Sequence, residues 1–262
     1  MTSAFLRYAV VLTVTGMSLL SGPAEAFGQQ QECSVPERFY LFEPQLTKTS
    51  KALGGGGEVV IVVLGGSSTL GRAAGGSDRA WPARMASVLA ERFPSARIKV
   101  VNLAVARQTA KAAAERLDRD VLPLKPTLVI WETGTMEAVR GTDVDEFRET
   151  LQTAIDELHA AGTEVVLMNM QFSRDTDAVI QFGPYLIAMR ELADANGVPL
   201  FRRHGIMRYW AESEVLDLRV RDREKSRQLA AKLYDCIGRA MADFVTRGIP
   251  AAKSTATHEG SR

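Results

Sequence analysis

The run Gly65-Gly66-Ser67-Ser68-Thr69, directly after the apolar stretch 58–64, concentrates the residues of this chain that could do nucleophilic chemistry. A serine hydroxyl attacks a carbonyl only if a neighbouring base takes its proton as the bond forms. The chain has three histidines to supply one. His258 lies in a polar tail, and His159 sits near the end of a helical pattern, where a cation-capable ring faces solvent and favours the helix dipole. His204 follows the fifth apolar segment, at the sheet edge where Ser67 should emerge, so a base there is geometrically conceivable. Flanked by Arg202 and Arg203, its ordinary reading is a surface loop residue. Glu137 is a further candidate, because a partly desolvated carboxylate can act as a base; its ordinary reading is a solvated side chain paired with Arg140 at i+3. Arg72, Arg79 and Arg107 flank the same region and could hold an anion, against the simpler reading of scattered, solvated arginines.

Elements that could position these groups follow from periodicity. Strand-like segments at 58–64, 97–103, 127–132, 164–170 and 198–202 alternate with helical ones at 79–92, 108–118, 143–160, 177–195 and 226–246. Val144, Phe147, Leu151, Ile155 and Leu158 recur on one helical face. Continuous apolar strands between amphipathic helices predict a three-layer α/β/α fold with a mainly parallel five-stranded sheet. In such a sheet ligands bind beyond the carboxyl ends of the strands. That rule selects "GGSSTLGR", "AVARQTA", "TGTMEAVR", "QFSRDTD" and "RHGIMRYW" as the loops to watch. Gly54 to Gly57 precede a strand instead of following one, so they read as a flexible link and not as a phosphate loop. The histidines are isolated and the cysteines far apart, so no metal site is expected; "GGSSTLG" lacks a dinucleotide spacing, and no cofactor is expected. Trp131 reads as core, whereas Trp210 with Tyr209 could line a groove or pack under a loop.

The chain has 262 residues, 46% of them hydrophobic, and a net charge of +1, enough for one substantial core and too balanced to capture nucleic acid. Arg7, an apolar run from Tyr8 to Leu20 and the small residues Ala24 and Ala26 read as a secretory signal peptide cleaved near Ala26. That run is short of the roughly 20 residues needed to span a bilayer, so no integral span is expected in the mature form. The expected organisation is a leader at 1–26, an arm with a short helix at 27–57, the α/β domain at 58–247 and a disordered tail at 248–262, in a monomeric periplasmic or secreted protein. Export admits a bond between Cys33 and Cys236, worth roughly 4 to 5 kcal/mol in the chain-entropy model. Two buried free thiols are the alternative.

Taken in order from Glu58 to Phe244, "LGGSSTLG", "VVNLAVARQTA" and "VIWETGTMEAVR" resemble successive blocks of the SGNH, or GDSL-type, hydrolases. The resemblance implies a flavodoxin-like fold and ester hydrolysis, with an acyl or acetylated-sugar substrate. It puts Ser67 at the nucleophile position and the Ala104 N–H at an oxyanion position. The family's oxyanion asparagine falls at Met136, which has no side-chain donor. Anchored on "LYDCIGRAMADF", its Asp-x-x-His block falls at Lys225 and Gln228. With these replacements the expectation is a hydrolase of impaired or lost activity, a pseudoenzyme; the alternative is a non-catalytic envelope protein using the same pocket for a carbohydrate or lipid.

Overall fold

Val59 to Leu64 are aliphatic and mostly β-branched, and all but the half-buried Val60 are buried, as suits a strand covered on both faces, Glu58–Leu64 (β1). The computed structural model describes residues 33–40, 46–217, 220, 222–247 and 249. β1 pairs in parallel with Arg97–Asn102 (β2) on one side and Leu128–Glu132 (β3) on the other. Glu164–Met168 (β4) and the short Leu200–Phe201 (β5) extend the sheet, giving the all-parallel order β2-β1-β3-β4-β5. The chain reverses its direction of winding between β1 and β3. Loops leaving these two strands therefore diverge to opposite layers and open a crevice at their carboxyl ends.

Alternate residues of β1 feed the two layers. Ile61 and Val63 pack with Trp81, Met85, Ile237 and Phe244, whereas Val62 and Leu64 pack with Phe147, Leu151 and Met189. The helices, in chain order, are Thr47–Gly54 (α1), Trp81–Arg92 (α2), Ala110–Ala114 (α3), Thr135–Arg140 (α4), Val144–Ala160 (α5), Arg174–Asp177 (α6), Gly183–Asn196 (α7), Arg203–Glu212 (α8) and Arg223–Val245 (α9). α5 begins where Asp143 accepts the N–H groups of Asp145 and Glu146, and it buries the periodic face read from the sequence. α9 begins the same way, with Asp222 capping the N–H of Lys225. The three-layer α/β/α architecture and all five strands appear as the sequence implies.

Three local differences have identifiable causes. Residues 203–212 form α8 instead of a loop, with Ile206, Met207 and Trp210 buried along one helical face and Arg203 buried in an ion pair. The helix expected from 177 begins only at Gly183, where Gly183-Pro184 opens α7, since proline is suited to a first turn and not to a helix interior; the short α6 ends at Asp177. Gly54 to Gly57 form a hydrogen-bonded helix end, with Gly55 N–H on Lys51 O and Gly57 N–H on Ala52 O, and not a loose link.

Cys33 and Cys236 are bonded, across 203 residues of sequence. The segment they anchor lies along α8: Trp210 Nε1 donates to Ser34 O at 2.9 Å, Phe39 and Tyr209 stack at 6.0 Å, and Arg202 donates to Arg38 O. Trp210 thus packs under the N-terminal segment and does not line a groove. No helix among the described residues is long and apolar enough to cross a membrane. The expected leader at 1–26 lies outside the described residues, as does the tail at 248–262 apart from Ile249.

Opening the disulfide removes a long-range constraint on the unfolded chain. The double variant Cys33→Ser, Cys236→Ala is expected to lose roughly 2–5 kcal/mol of unfolding free energy in urea. A midpoint unchanged from the parent protein would show that the bond contributes nothing to stability.

Candidate functional site

At the crevice between β1 and β3 the backbone turns through Gly65 to Thr69, and the carboxylate of Glu132, the last residue of β3, comes up beneath it. Four groups surround that carboxylate. Ser68 Oγ and Arg203 Nη1 both donate to Oε1 at 2.8 Å; Thr69 Oγ1 and, at 3.4 Å, the Gly66 N–H donate to Oε2. Glycine is required at position 65, because a Cβ there would lie 2.6 Å from Thr69 Oγ1 and 2.8 Å from Glu132 Oε2. Around this centre Trp81 Nε1 donates to Thr69 Oγ1 at 3.1 Å, Asn102 Nδ2 to Thr69 O at 2.7 Å, and Arg203 Nη2 to Gln171 Oε1 at 3.1 Å. The Arg203 side chain is 0% exposed and that of Glu132 6%. Tyr234, from α9, packs nearby: burial raises its phenol pKa, Arg203 pulls it back and Glu132 pushes it up.

Ser67 is the exposed member of the turn. It lines a cleft of about 210 Å³ together with Ser68, Arg107, Thr135, Met136 and Gln171. Among the described residues no group hydrogen-bonds the Ser67 hydroxyl. The Ala104 N–H already donates to Asn102 Oδ1 at 3.1 Å. Met136, on α4, brings a thioether to the cleft wall, a weak acceptor with nothing to donate. Lys225 and Gln228 lie exposed in the first turns of α9 and outside the cleft lining; Gln228 Nε2 reaches back to Glu224 Oε1 at 3.5 Å.

His204 and Glu137 are both buried and both engaged. His204 Nε2 is 2.7 Å from Asp177 Oδ1, its ring meets Phe172 and Phe182 edge-on, and its backbone N–H donates to Asn169 Oδ1. It lines a separate cavity with Phe182 and Arg208. Glu137 is 2% exposed, and instead of pairing with Arg140 it accepts Ala110 N–H at 2.6 Å and Gly134 N–H at 3.1 Å. One carboxylate thereby ties the start of α3 to the start of α4. Gly134 has φ +91°, and a Cβ there would lie 2.8 Å from Met170 Cε. Arg72 and Arg79 are exposed and absent from the cleft lining. Arg107 does line it, from a left-handed backbone conformation with φ +60° that costs a non-glycine residue about 1–2 kcal/mol.

The buried centre, Glu132 with Arg203, escaped the sequence reading. Its signals were an acidic residue ending an otherwise apolar strand and an arginine opening a helix immediately after another. Both are ordinary patterns, and only their approach across the sheet distinguishes them.

A family model described as the non-GDSL lipase-like family matches residues 32–251. No curated protein matches the chain. Among solved structures, it is similar to an alpha/beta hydrolase enzyme from the metagenome of Lake Arreo, Spain, with 20% identity over 72% of this chain and 96% of that one and a TM-score of 0.56. It is also similar to a variant of an acetyl-xylooligosaccharide esterase from Geobacillus, with 20% identity over 67% and 92% and a TM-score of 0.54. The psychrotrophic esterase EstA from Pseudoalteromonas is 18% identical over 70% and 98%, with a TM-score of 0.52. At these identities the likeness is one of fold.

Removing one partner of the buried pair strands the other charge in the interior. Arg203→Met is expected to destabilise the protein by roughly 3–5 kcal/mol, and adding Glu132→Gln should recover part of that loss. Strict additivity of the two losses in urea unfolding would show that the charges do not act as a pair.

Proposed function

Because the chain belongs to the non-GDSL lipase-like family, within the SGNH-type hydrolases, we propose that it is an exported, non-hydrolysing member whose cleft at Ser67 binds a small polar ligand of the ester or carbohydrate class. The observation that carries this reading is the isolation of the Ser67 hydroxyl, which has no acid–base partner among the described residues. Without a proton acceptor the hydroxyl is a poor nucleophile at neutral pH. In the frame of the sequence resemblance the family's oxyanion asparagine falls at Met136 and its Asp-x-x-His pair at Lys225 and Gln228, which supports the same reading. So does the Ala104 N–H, which an incoming oxyanion would have to take from Asn102. The acetyl-xylooligosaccharide esterase among the fold relatives makes an acylated sugar a ligand class to test.

A second reading has one observation in its favour, the hydroxyl–carboxylate contact of Ser68 with Glu132 at 2.8 Å. Proton transfer to that oxygen would neutralise the partner of a fully buried guanidinium, so the pair serves better as structure than as catalyst.

Export rests on the leader pattern at 1–26 and on the Cys33–Cys236 bond, of a kind favoured by oxidising compartments and rare in the cytosol.

Two measurements test these points. With p-nitrophenyl acetate, the protein and its Ser67→Ala and Ser68→Ala variants should all match the buffer rate. Turnover that disappears in either variant would overturn the non-hydrolysing reading and identify the serine responsible. For export, N-terminal sequencing of protein recovered outside the cytoplasm should begin near Phe27, whereas an intact chain retained in the cytoplasm contradicts it.

A further inference from the structure

The functional groups that the Ser67 cleft leaves free can all donate hydrogen bonds, and none of them is a carboxylate. Glu132 has the cleft's only lining carboxylate among the described residues, and its oxygens already receive Ser68, Arg203, Thr69 and Gly66, which fills the lone-pair sites of a carboxylate. Arg203 cancels its charge. Gln171 spends its amide oxygen on Arg203, so the side of Gln171 that remains is its NH2, a donor. The Ser67 hydroxyl makes no bond to any described residue, and neither does the guanidinium of Arg107, whose backbone carbonyl instead receives Arg140 Nη2. The cleft therefore presents the Arg107 guanidinium, the Gln171 amide donor, the Ser67 hydroxyl and the Thr135 hydroxyl, which is buried without a partner among the described residues, around about 210 Å³ of space.

The backbone at Arg107 adds an independent sign. A φ of +60° is uncommon for a residue other than glycine, asparagine or aspartate, and such conformations cluster where a side chain is held for a ligand. Arg107 is also the member of the flanking arginines that lines the cleft; Arg72 and Arg79 do not.

We infer that the cleft is a subsite for a small carboxylate, of the sugar-acid type, held by Arg107 with Ser67 and Gln171 as additional donors. This rests on the reading of the site as non-hydrolysing, and it specifies the ligand that reading leaves open. A planar carboxylate matches the fork of a single guanidinium, and Arg107 is the lining residue that offers one. The cavity is below the roughly 300–1,000 Å³ of sites for drug-sized ligands, so the bound group is a single sugar ring or smaller. Firm retention of a carboxylate also fits a binder better than an esterase, whose acid product must leave.

Calorimetric titration of the protein with D-glucuronate, D-glucose and inorganic phosphate tests the inference, because the first two differ by a carboxylate in place of a hydroxymethyl. Glucuronate is expected to bind at least about 10-fold more tightly than glucose, the scale of a charged hydrogen bond. Arg107→Gly should remove that preference while the thermal midpoint holds or rises, since glycine relaxes the left-handed backbone. Arg72→Ala should change nothing. Equal binding of glucuronate and glucose, no binding of glucuronate, tighter binding of phosphate, or an Arg107→Gly variant that keeps the preference would each overturn the subsite. The ester assay is read separately: Ser67-dependent turnover alongside glucuronate preference removes the non-hydrolysing reading alone, and absence of both removes the carboxylate subsite alone.

Discussion

The contact on which the rest of the site depends is the buried ion pair between Glu132 and Arg203. It connects three strand ends, since Glu132 closes β3, the Gly65–Thr69 turn that it anchors follows β1, and Arg203 opens the helix after β5. Charges this deep are tolerable only when paired and fully hydrogen-bonded. Glu132 meets that condition through its four donors; Arg203, bonded to Glu132, Ser68 and Gln171, falls one bond short of it, its buried Nε having no partner among the described residues. The arrangement demands a glycine at 65, hydroxyls at 68 and 69, and a helix instead of a loop at 203–212. What reads in sequence as a nucleophile turn is, from below, a hydrogen-bonded lid on a buried carboxylate.

A division of labour within the turn follows from that geometry. Ser68 and Thr69 face inward and are committed to structure, whereas Ser67 faces the cleft and carries no structural duty. Glu137 plays a comparable part on the neighbouring loops, where its two oxygens hold the starts of α3 and α4 in place beside the cleft. The cleft is thus framed by two buried carboxylates, each of whose oxygens is engaged. A framework of this kind preorganises a binding surface, because the donors that remain are fixed before a ligand arrives.

Periodicity revealed the strands and the long helices, because alternating layers of a parallel sheet impose continuous apolar strands and one-sided helices. It was weakest where a charged residue turned out to be interior. Arg203 beside His204 looked like solvent-facing chain, and Glu137 looked like a surface partner for Arg140, since the ordinary place for a charge is water. Their partners lie 71 and 27 residues away in sequence, at Glu132 and Ala110, and no local pattern encodes such a meeting. Cys33 with Cys236 is the exception that was legible at long range, because a chain with two cysteines offers only one intramolecular pairing.

By itself the sequence determined the layer architecture, the strand after which the Gly-Gly-Ser-Ser-Thr turn falls, and the residue types that stand at Met136, Lys225 and Gln228. Those are properties of composition and spacing, which survive without coordinates. Only the tertiary structure decided which serine is free and which is committed, that His204 belongs to Asp177 and a separate cavity, and that Arg107 alone of its neighbouring arginines reaches the cleft. These are questions of where a side chain finds its partner, and in a parallel sheet the partners at one strand's carboxyl end come from other strands, brought together by the fold.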